Sequence, residues 1–95
     1  MDDDFVPVEL TDEIDLHAFH PRDVKALLGD FIEHAIAKRY RSVRIVHGKG
    51  QSVIKSIVIA FLENDPRVAT FSDQAGNWGA TIAQLIVPDD APDRT

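Results

Sequence analysis

The apolar positions of this chain recur with two different periods, which together predict four strands and two helices. Apolar and polar residues alternate over residues 13–17, so that Ile14 and Leu16 are expected to face a core. Three- and four-residue apolar spacing in two longer segments is typical of amphipathic helices. The predicted strands are residues 13–17, 42–47, 67–71 and 80–87, and the predicted helices are residues 21–39 and 53–64.

Proline and glycine mark where these elements begin and end. Pro21 suits the first position of a helix, where its missing N–H is not needed. Two glycines flank Lys49 between the second strand and the second helix, which predicts a tight turn. Residues 73–79 contain two glycines and three polar residues, so we expect a loop there with Trp78 at its tip.

The order strand, helix, strand, helix, strand, strand predicts an α/β fold. The two strand–helix units favour parallel strands, and the last two strands are expected to form a hairpin. Because two helices cover only one face of a four-stranded sheet, we predict a two-layer βαβαββ sandwich with a mixed sheet. Asp15, His17 and the turn after His47 then lie near the carboxyl ends of the first two strands, where open α/β sheets bind ligands.

Length and composition indicate one globular domain with acidic ends. Of the 95 residues, 44% are apolar and 27% are charged, which is ordinary for a globular protein. The chain has no cysteine, no apolar run near the roughly 20 residues of a membrane span, and an acidic start unlike a signal peptide. We therefore expect a cytoplasmic protein without a membrane partner. Its predicted parts are an acidic extended leader at residues 1–13, a domain at residues 14–87 and a disordered acidic tail at residues 88–95.

The net charge of −6 is concentrated in these predicted ends. Residues 14–87 carry nine Lys and Arg against seven Asp and Glu, a net charge of +2. Six basic residues fall within 18 positions, which allows a basic face that is weaker than in a typical nucleic-acid-binding domain. They are Lys38, Arg39, Arg41, Arg44, Lys49 and Lys55. Nucleic acid therefore remains a candidate partner.

Asp15 and His17 are two residues apart on a predicted strand, so their side chains can meet the same ligand. His17 is suited to act as a general acid or base near neutral pH, with Asp15 fixing its tautomer or binding a cation. The alternative is that both residues belong to the solvated outer face of an edge strand, because alternating polar residues are common there.

His47, at the end of the second predicted strand, offers a second imidazole at the same edge. Two histidines would allow one to deprotonate a nucleophile while the other protonates the leaving oxygen, without a metal. Alternatively, Asp15, His17 and His47 are mixed ligands of a divalent metal that activates water. A third interpretation is a strand-end histidine that is hydrogen-bonded to the backbone. The sequence thus requires no cofactor and leaves a divalent metal open.

The turn Gly48-Lys49-Gly50 either approaches a phosphate or is simply a tight turn that needs positive φ angles. Arg44 and Lys55 either add phosphate contacts or belong to a solvated charged face. Trp78 either stacks on an unpaired base or caps the edge of the sheet. A nucleic-acid site at this edge is therefore one of two interpretations for each of these residues.

Three short motifs, in chain order, resemble those of the Smr (small MutS-related) domain family. The family's Leu-Asp-x-His motif, His-Gly-x-Gly loop and Gly-Ala-Thr-type last strand correspond to Ile14-Asp15-Leu16-His17, His47-Gly48-Lys49-Gly50 and Gly79-Ala80-Thr81-Ile82. The resemblance covers residues 14–87 and looks closest to the stand-alone bacterial members. It implies a fold similar to that of the C-terminal domain of translation initiation factor 3.

The resemblance also implies a function, because family members nick DNA or cleave RNA and the Asp-x-His motif is tied to that activity. We therefore expect a nucleic-acid-binding domain with endonuclease activity on DNA or RNA, by phosphodiester hydrolysis or transesterification. In this hypothesis Asp15, His17 and His47 are catalytic. The alternative is a non-catalytic module that binds nucleic acid or a protein. One departure from the family pattern is Ala18, where many members have glycine.

Overall fold

Four strands and two helices follow one another in the predicted order. The computed structural model describes residues 12–49 and 52–88. Neither helix in this part of the chain is long and apolar enough to cross a membrane. The elements are β1 (Asp12–Asp15), α1 (Pro21–Ala37), β2 (Ser42–Val46), α2 (Ser52–Asn64), β3 (Val68–Gln74) and β4 (Asn77–Leu85).

The strands form one mixed sheet in the order β1-β2-β4-β3. β1 pairs with β2 in parallel, and β4 is antiparallel to both of its neighbours. β3 and β4 form the predicted hairpin. Because β4 lies between β2 and β3, those two strands are not neighbours, and the parallel pair of adjacent strands is β1 and β2. The α/β fold with a four-stranded mixed sheet is therefore confirmed.

Both helices pack against the same face of the sheet, where the core forms. On β2 this face carries Val43 and Ile45, which are fully buried, whereas Arg44 between them points to the open face and is half-buried. Alternation along the strand thus separates the core face from the open face, as predicted. The helical residues of the core are Val24, Leu28, Ile32 and Ala35 of α1 and Ile54, Val58 and Leu62 of α2.

Local interactions set the two ends of α1. His20 precedes the helix in an extended conformation, and its Nδ1 accepts a hydrogen bond of 3.1 Å from the backbone N–H of Arg22. At the other end, Arg39 has a positive φ of 64°, and the N–H of Tyr40 donates to the carbonyl of Ala35 at 2.9 Å. This left-handed residue satisfies a terminal carbonyl and stops the helix before the predicted end.

The loop predicted at residues 73–79 is wrong, because these residues form a tight hairpin. β3 runs to Gln74 and β4 begins at Asn77, which leaves a two-residue turn, Ala75-Gly76. Gly76 has a φ of +76°, which glycine adopts without the steric penalty of a side chain. Gln74 and Asn77 are partners across the hairpin, so the polar residues that suggested a loop continue the strand pairing.

The predicted leader and tail fall mostly outside the described residues, since residues 1–11 and 89–95 are not among them. β1 begins at Asp12, so the last residues assigned to the leader belong to the sheet. At the other end, the carbonyl of Pro88 accepts a hydrogen bond of 2.9 Å from Nη1 of Arg39, which ties Pro88 to the domain.

Candidate functional site

The carboxyl ends of β1 and β2 lie side by side at one edge of the sheet. Asp15 and Val46 end the two strands and are partners in the parallel register, and the N–H of Leu16 donates to the carbonyl of Val46 at 2.7 Å. The turns that follow the two strands therefore begin next to each other, as the topology predicted. One turn carries His17, and the other begins with His47.

Asp15 and His17 form a hydrogen-bonded pair at the surface. Nδ1 of His17 lies 2.5 Å from Oδ1 of Asp15, and the backbone N–H of His17 donates to the same oxygen at 3.1 Å. β1 ends at Asp15, so the predicted extension of the strand to His17 is wrong. The side chains meet because the chain turns: an Asp that accepts from the N–H two residues later forms an Asx turn.

This pair holds the imidazole of His17 in one orientation. Because Oδ1 of Asp15 is an acceptor, the hydrogen lies on Nδ1, and Nε2 is the ring nitrogen left to take a proton. The hydrogen bond from the His17 side chain is the main reason that the pKa of Asp15 lies below its usual range. The side chains of His17 and Asp15 are 57% and 51% exposed, so a ligand in solution can reach both.

Arg44 crosses the open face of the sheet beside this pair. Its Nη1 lies 2.9 Å from Oε2 of Glu13, and its Nε donates to Oε1 of Gln74 at 2.7 Å. Its positive charge is also one of the smaller causes that lower the pKa of Asp15. Arg44 is therefore held by side chains of β1 and β3, and a phosphate would have to compete with the carboxylate of Glu13.

His47 lies in the core and does not share the surface of Asp15 and His17. Its exposed fraction is 0%, and its Nε2 lies 2.9 Å from the hydroxyl of Thr81, which is also fully buried. Its Nδ1 is buried without a hydrogen-bond partner among the described residues. Burial is the main reason that the pKa of His47 lies below its ordinary value, and the charge of Lys55 acts in the same direction.

The turn after β2 is fastened to β4 by the backbone. The N–H groups of His47 and Gly48 both donate to the carbonyl of Gly79, each at 2.9 Å. Gly48 has a φ of +88°, as the tight-turn interpretation requires, and its N–H is directed into the protein rather than toward a phosphate. Lys49 is exposed, and Gly50 lies outside the described residues. Lys49 is thus the charged, accessible residue of this turn.

Two other predicted binding residues lie elsewhere in the fold. Nζ of Lys55 lies 3.2 Å from Oδ2 of Asp73, an ion pair between α2 and β3. Trp78 belongs to β4 and is not at the tip of a loop, and its side chain lies outside what the structure describes. The contact of Lys55 fits the interpretation of a charged surface, where such pairs are common.

The predicted metal-ligand set is not assembled. The described part of the chain contains no group of three or more His, Cys, Asp or Glu side chains that could hold a metal ion. The reason is the burial of His47, whose Nε2 contacts Thr81 in the core, whereas Asp15 and His17 are exposed. The surface pair offers only one carboxylate and one imidazole.

Sequence reasoning missed two residues beside these turns. The first is Thr81, whose hydroxyl contacts His47. It belongs to the Gly-Ala-Thr motif and lies two residues before Ala83 on β4, so the sequence indicated that both face the core. Phe19 lies in the turn after His17 and is 45% exposed. The signal for Phe19 was a large apolar residue in the short segment between the first predicted strand and the first predicted helix.

The family model of the Smr domain matches residues 14–86. Endonuclease MutS2 of Helicobacter pylori is 31% identical over 80 residues, which are 84% of this chain and 10% of that protein. Ribosome rescue factor SmrB of Shewanella oneidensis is 28% identical over 83 residues, which are 85% of this chain and 47% of that protein. This chain thus spans about a tenth of the first relative and about half of the second.

Solved structures of Smr proteins share this fold. The Smr domain of Thermus thermophilus MutS2 matches with a TM-score of 0.75 and 27% identity, over 79% of this chain and 98% of that one. YdaL, a stand-alone small MutS-related protein from Escherichia coli, matches with a TM-score of 0.73 and 24% identity, over 77% of this chain and 63% of that one. With the family match extending from β1 through β4, this chain belongs to the Smr domain family.

Proposed function

We propose that this Smr domain binds nucleic acid and cleaves a phosphodiester bond at the Asp15–His17 pair. One observation carries the proposal: an exposed imidazole has its Nδ1 held by an ionised carboxylate, at the edge where α/β sheets bind ligands. The name of one relative, an endonuclease, supports chemistry on nucleic acid, and the name of another, a ribosome rescue factor, supports action at the ribosome. A carboxylate that orients a histidine is a common arrangement in general acid–base catalysis.

In the proposed reaction, Nε2 of His17 removes the proton from an attacking oxygen, which is either a ribose 2′-hydroxyl or water. That oxygen forms a bond to phosphorus, and the bond from phosphorus to the leaving oxygen breaks. Asp15 stabilises the imidazolium that results, because its negatively charged Oδ1 already accepts a hydrogen bond from Nδ1–H of His17. The proton on Nε2 then passes to the leaving oxygen or to solvent. Each step uses only this pair and the substrate.

Substrate binding is proposed to involve the cations nearest to the pair. Lys49 is exposed in the turn after β2, next to the turn that carries His17. Arg44 contributes a phosphate contact when a phosphate replaces the carboxylate of Glu13. Because both contacts are ionic, binding is expected to weaken as salt concentration rises.

The test is cleavage of pooled single-stranded and structured RNA and DNA by the purified protein, with and without divalent metal. General acid–base groups typically contribute about 10²- to 10⁴-fold in rate, so His17→Ala should lose that much activity. His34→Ala is a matched control, because His34 is an exposed histidine in the last turn of α1. Equal product from wild type and His17→Ala would show contaminating nuclease and would contradict the proposal.

The chemical ends of the products distinguish the two nucleophiles. A 2′,3′-cyclic phosphate indicates attack by the 2′-hydroxyl of RNA, and a 5′-phosphate indicates attack by water. Asp15→Asn should reduce the rate while keeping the same product ends, since Asp15 orients His17 without bonding to phosphorus. Product ends that change in Asp15→Asn would contradict this role.

A binding module without catalysis is the second candidate, and the burial of His47 favours it. Because His47 is fully buried and its Nε2 contacts Thr81, it does not supply the second imidazole of the two-histidine mechanism. This candidate predicts salt-sensitive binding that Lys49→Ala weakens, with no product at any metal concentration or pH. Detection of His17-dependent product would exclude it.

A further inference from the structure

Phe19 differs from the other phenylalanines that the structure describes. Phe31, Phe61 and Phe71 pack against the core, whereas Phe19 is 45% exposed. A single exposed apolar residue is ordinary on a protein surface. Phe19, however, lies in the same short turn as His17, the exposed histidine of the proposed site.

This turn is fixed at both of its ends. Leu16 at its start is fully buried, and the N–H of Phe19 donates to the carbonyl of Leu16 at 3.0 Å. At its other end, the ring of His20 accepts from the N–H of Arg22, which joins the turn to α1. The backbone of Phe19 is therefore held in place, so the aromatic ring is displayed without the entropy loss of ordering a flexible loop.

The charges around the pair favour an uncharged contact with the substrate. Asp15 and Glu13 are acidic and lie on the edge strand, and Arg44 is already paired with Glu13. These carboxylates weaken the attraction that Lys49 and Arg44 offer to phosphate groups, so a contact that is independent of charge would add to binding there. Stacking of a base on an aromatic ring supplies it, because every base has a π-face.

We propose that Phe19 stacks on an unpaired base of the nucleotide next to the scissile phosphate, which makes single-stranded nucleic acid the substrate of this site. The proposal rests on the proposed function, since it takes the Asp15–His17 pair as the place of cleavage. Bases in a duplex are stacked on their neighbours and do not offer this face. The site should therefore prefer single strands, loops and bulges to uninterrupted duplex.

The test measures binding of a 2-aminopurine-labelled single strand that resists cleavage, beside a duplex of the same sequence. Phe19→Ala should weaken single-strand binding roughly 5- to 100-fold and abolish the fluorescence change that stacking causes. Phe19→Trp should keep both. Duplex binding should be the same in all three proteins, and circular dichroism should show that the variants are folded.

Ile86→Ala is the matched control for loss of an exposed apolar side chain. Ile86 is 54% exposed, and its N–H bonds to the carbonyl of Arg67 at the opposite end of the sheet from His17. Its substitution should leave single-strand binding unchanged. An equal loss in Ile86→Ala and Phe19→Ala would contradict a stacking role for Phe19.

Two other outcomes would overturn the proposal. Unchanged single-strand affinity in Phe19→Ala would remove the stacking contact, even if His17-dependent cleavage is observed. The second outcome is that wild type is a dimer and Phe19→Ala is a monomer, while each chain binds the single strand with the same affinity. Phe19 would then contact a second copy of the chain rather than a base. Conversely, Phe19-dependent stacking without any cleavage would contradict the proposed function, and Phe19 would then belong to a single-strand-binding site that has no scissile phosphate.

Discussion

The turns after β1 and β2 begin side by side, each carries a histidine, and the two histidines have opposite environments. His17 is exposed and bonded to a carboxylate, whereas His47 is fully buried and bonded to a hydroxyl. Their positions relative to the strand ends explain the difference. Asp15 and Val46 are partners, so His47 is the counterpart of Leu16, and His17 lies one residue further along the chain.

His17 is a candidate catalytic group and His47 is a core residue because their positions after the strand ends differ by one residue. Leu16 and His47, each the first residue after its strand, both point to the helix-covered face and are fully buried. His17 follows Leu16, and the turn there exposes its ring. Adjacent residues at a strand end point to opposite faces of a sheet, so motifs that look equivalent in sequence have different surroundings.

Truncating each histidine in turn should have very different effects on stability. His47→Ala should lower the free energy of unfolding by about 2–4 kcal/mol, because it leaves a cavity and a buried hydroxyl without its partner. His17→Ala should change it by no more than about 0.5 kcal/mol, as is usual for exposed side chains. Urea denaturation measures both values, and a similar loss in the two variants would contradict the assignment.

The burial of His47 should also make the stability of the protein depend on pH. Burial lowers the pKa of His47 in the folded protein, so below about pH 6.5 the unfolded chain binds a proton that the folded chain does not. The free energy of unfolding should therefore fall as pH falls from 7 to 5, by at most about 1.4 kcal/mol per pH unit for one such group.

The control for this pH effect is His47→Leu, which keeps the exposed histidines His17, His20 and His34. Denaturation midpoints measured in urea at several pH values should fall less steeply in this variant than in wild type. An identical slope in the two proteins would show that another group titrates over this range.

Removing only the partner of His47 should cost less stability than truncating His47 itself. Thr81→Val keeps the shape of the side chain but removes the hydroxyl, leaving Nε2 of His47 buried without a partner. We expect a loss of about 1–2 kcal/mol in the free energy of unfolding. In a double-mutant cycle, adding Thr81→Val to His47→Ala should cost less than it does alone, because the two groups interact. Additive losses would contradict their coupling.

Much of the fold was predictable because it depends on local patterns. The helical spacing of α1 and the alternation along β2 indicated which residues face the core, and the structure buries them. The hairpin was predicted, but its turn was not, because polar residues near Gly76 resemble a loop. Only the pairing between β3 and β4 shows that these polar residues continue the strands. This pairing depends on the partner strand, which the composition of the segment does not reveal.

The candidate site was predictable in part. The Asp15–His17 pair is local, two residues apart, so the sequence was sufficient to bring the side chains together, although a turn rather than a strand does so. The position of His47 was also encoded, since it alternates in step with Val43 and Ile45. The His-Gly-x-Gly motif suggested a catalytic role for His47, whereas the two-residue alternation along the strand indicated that His47 faces the core.

The order of elements, the core-facing residues, the family and the local carboxylate–imidazole pair could all be predicted, because they depend on residues near one another in the chain. The tertiary structure decided which residues meet across the sheet. It joined His47 to Thr81 on β4, Arg44 to Glu13 on β1 and Gln74 on β3, and Lys55 to Asp73. These contacts depend on strand order and register, which place distant residues within hydrogen-bonding distance.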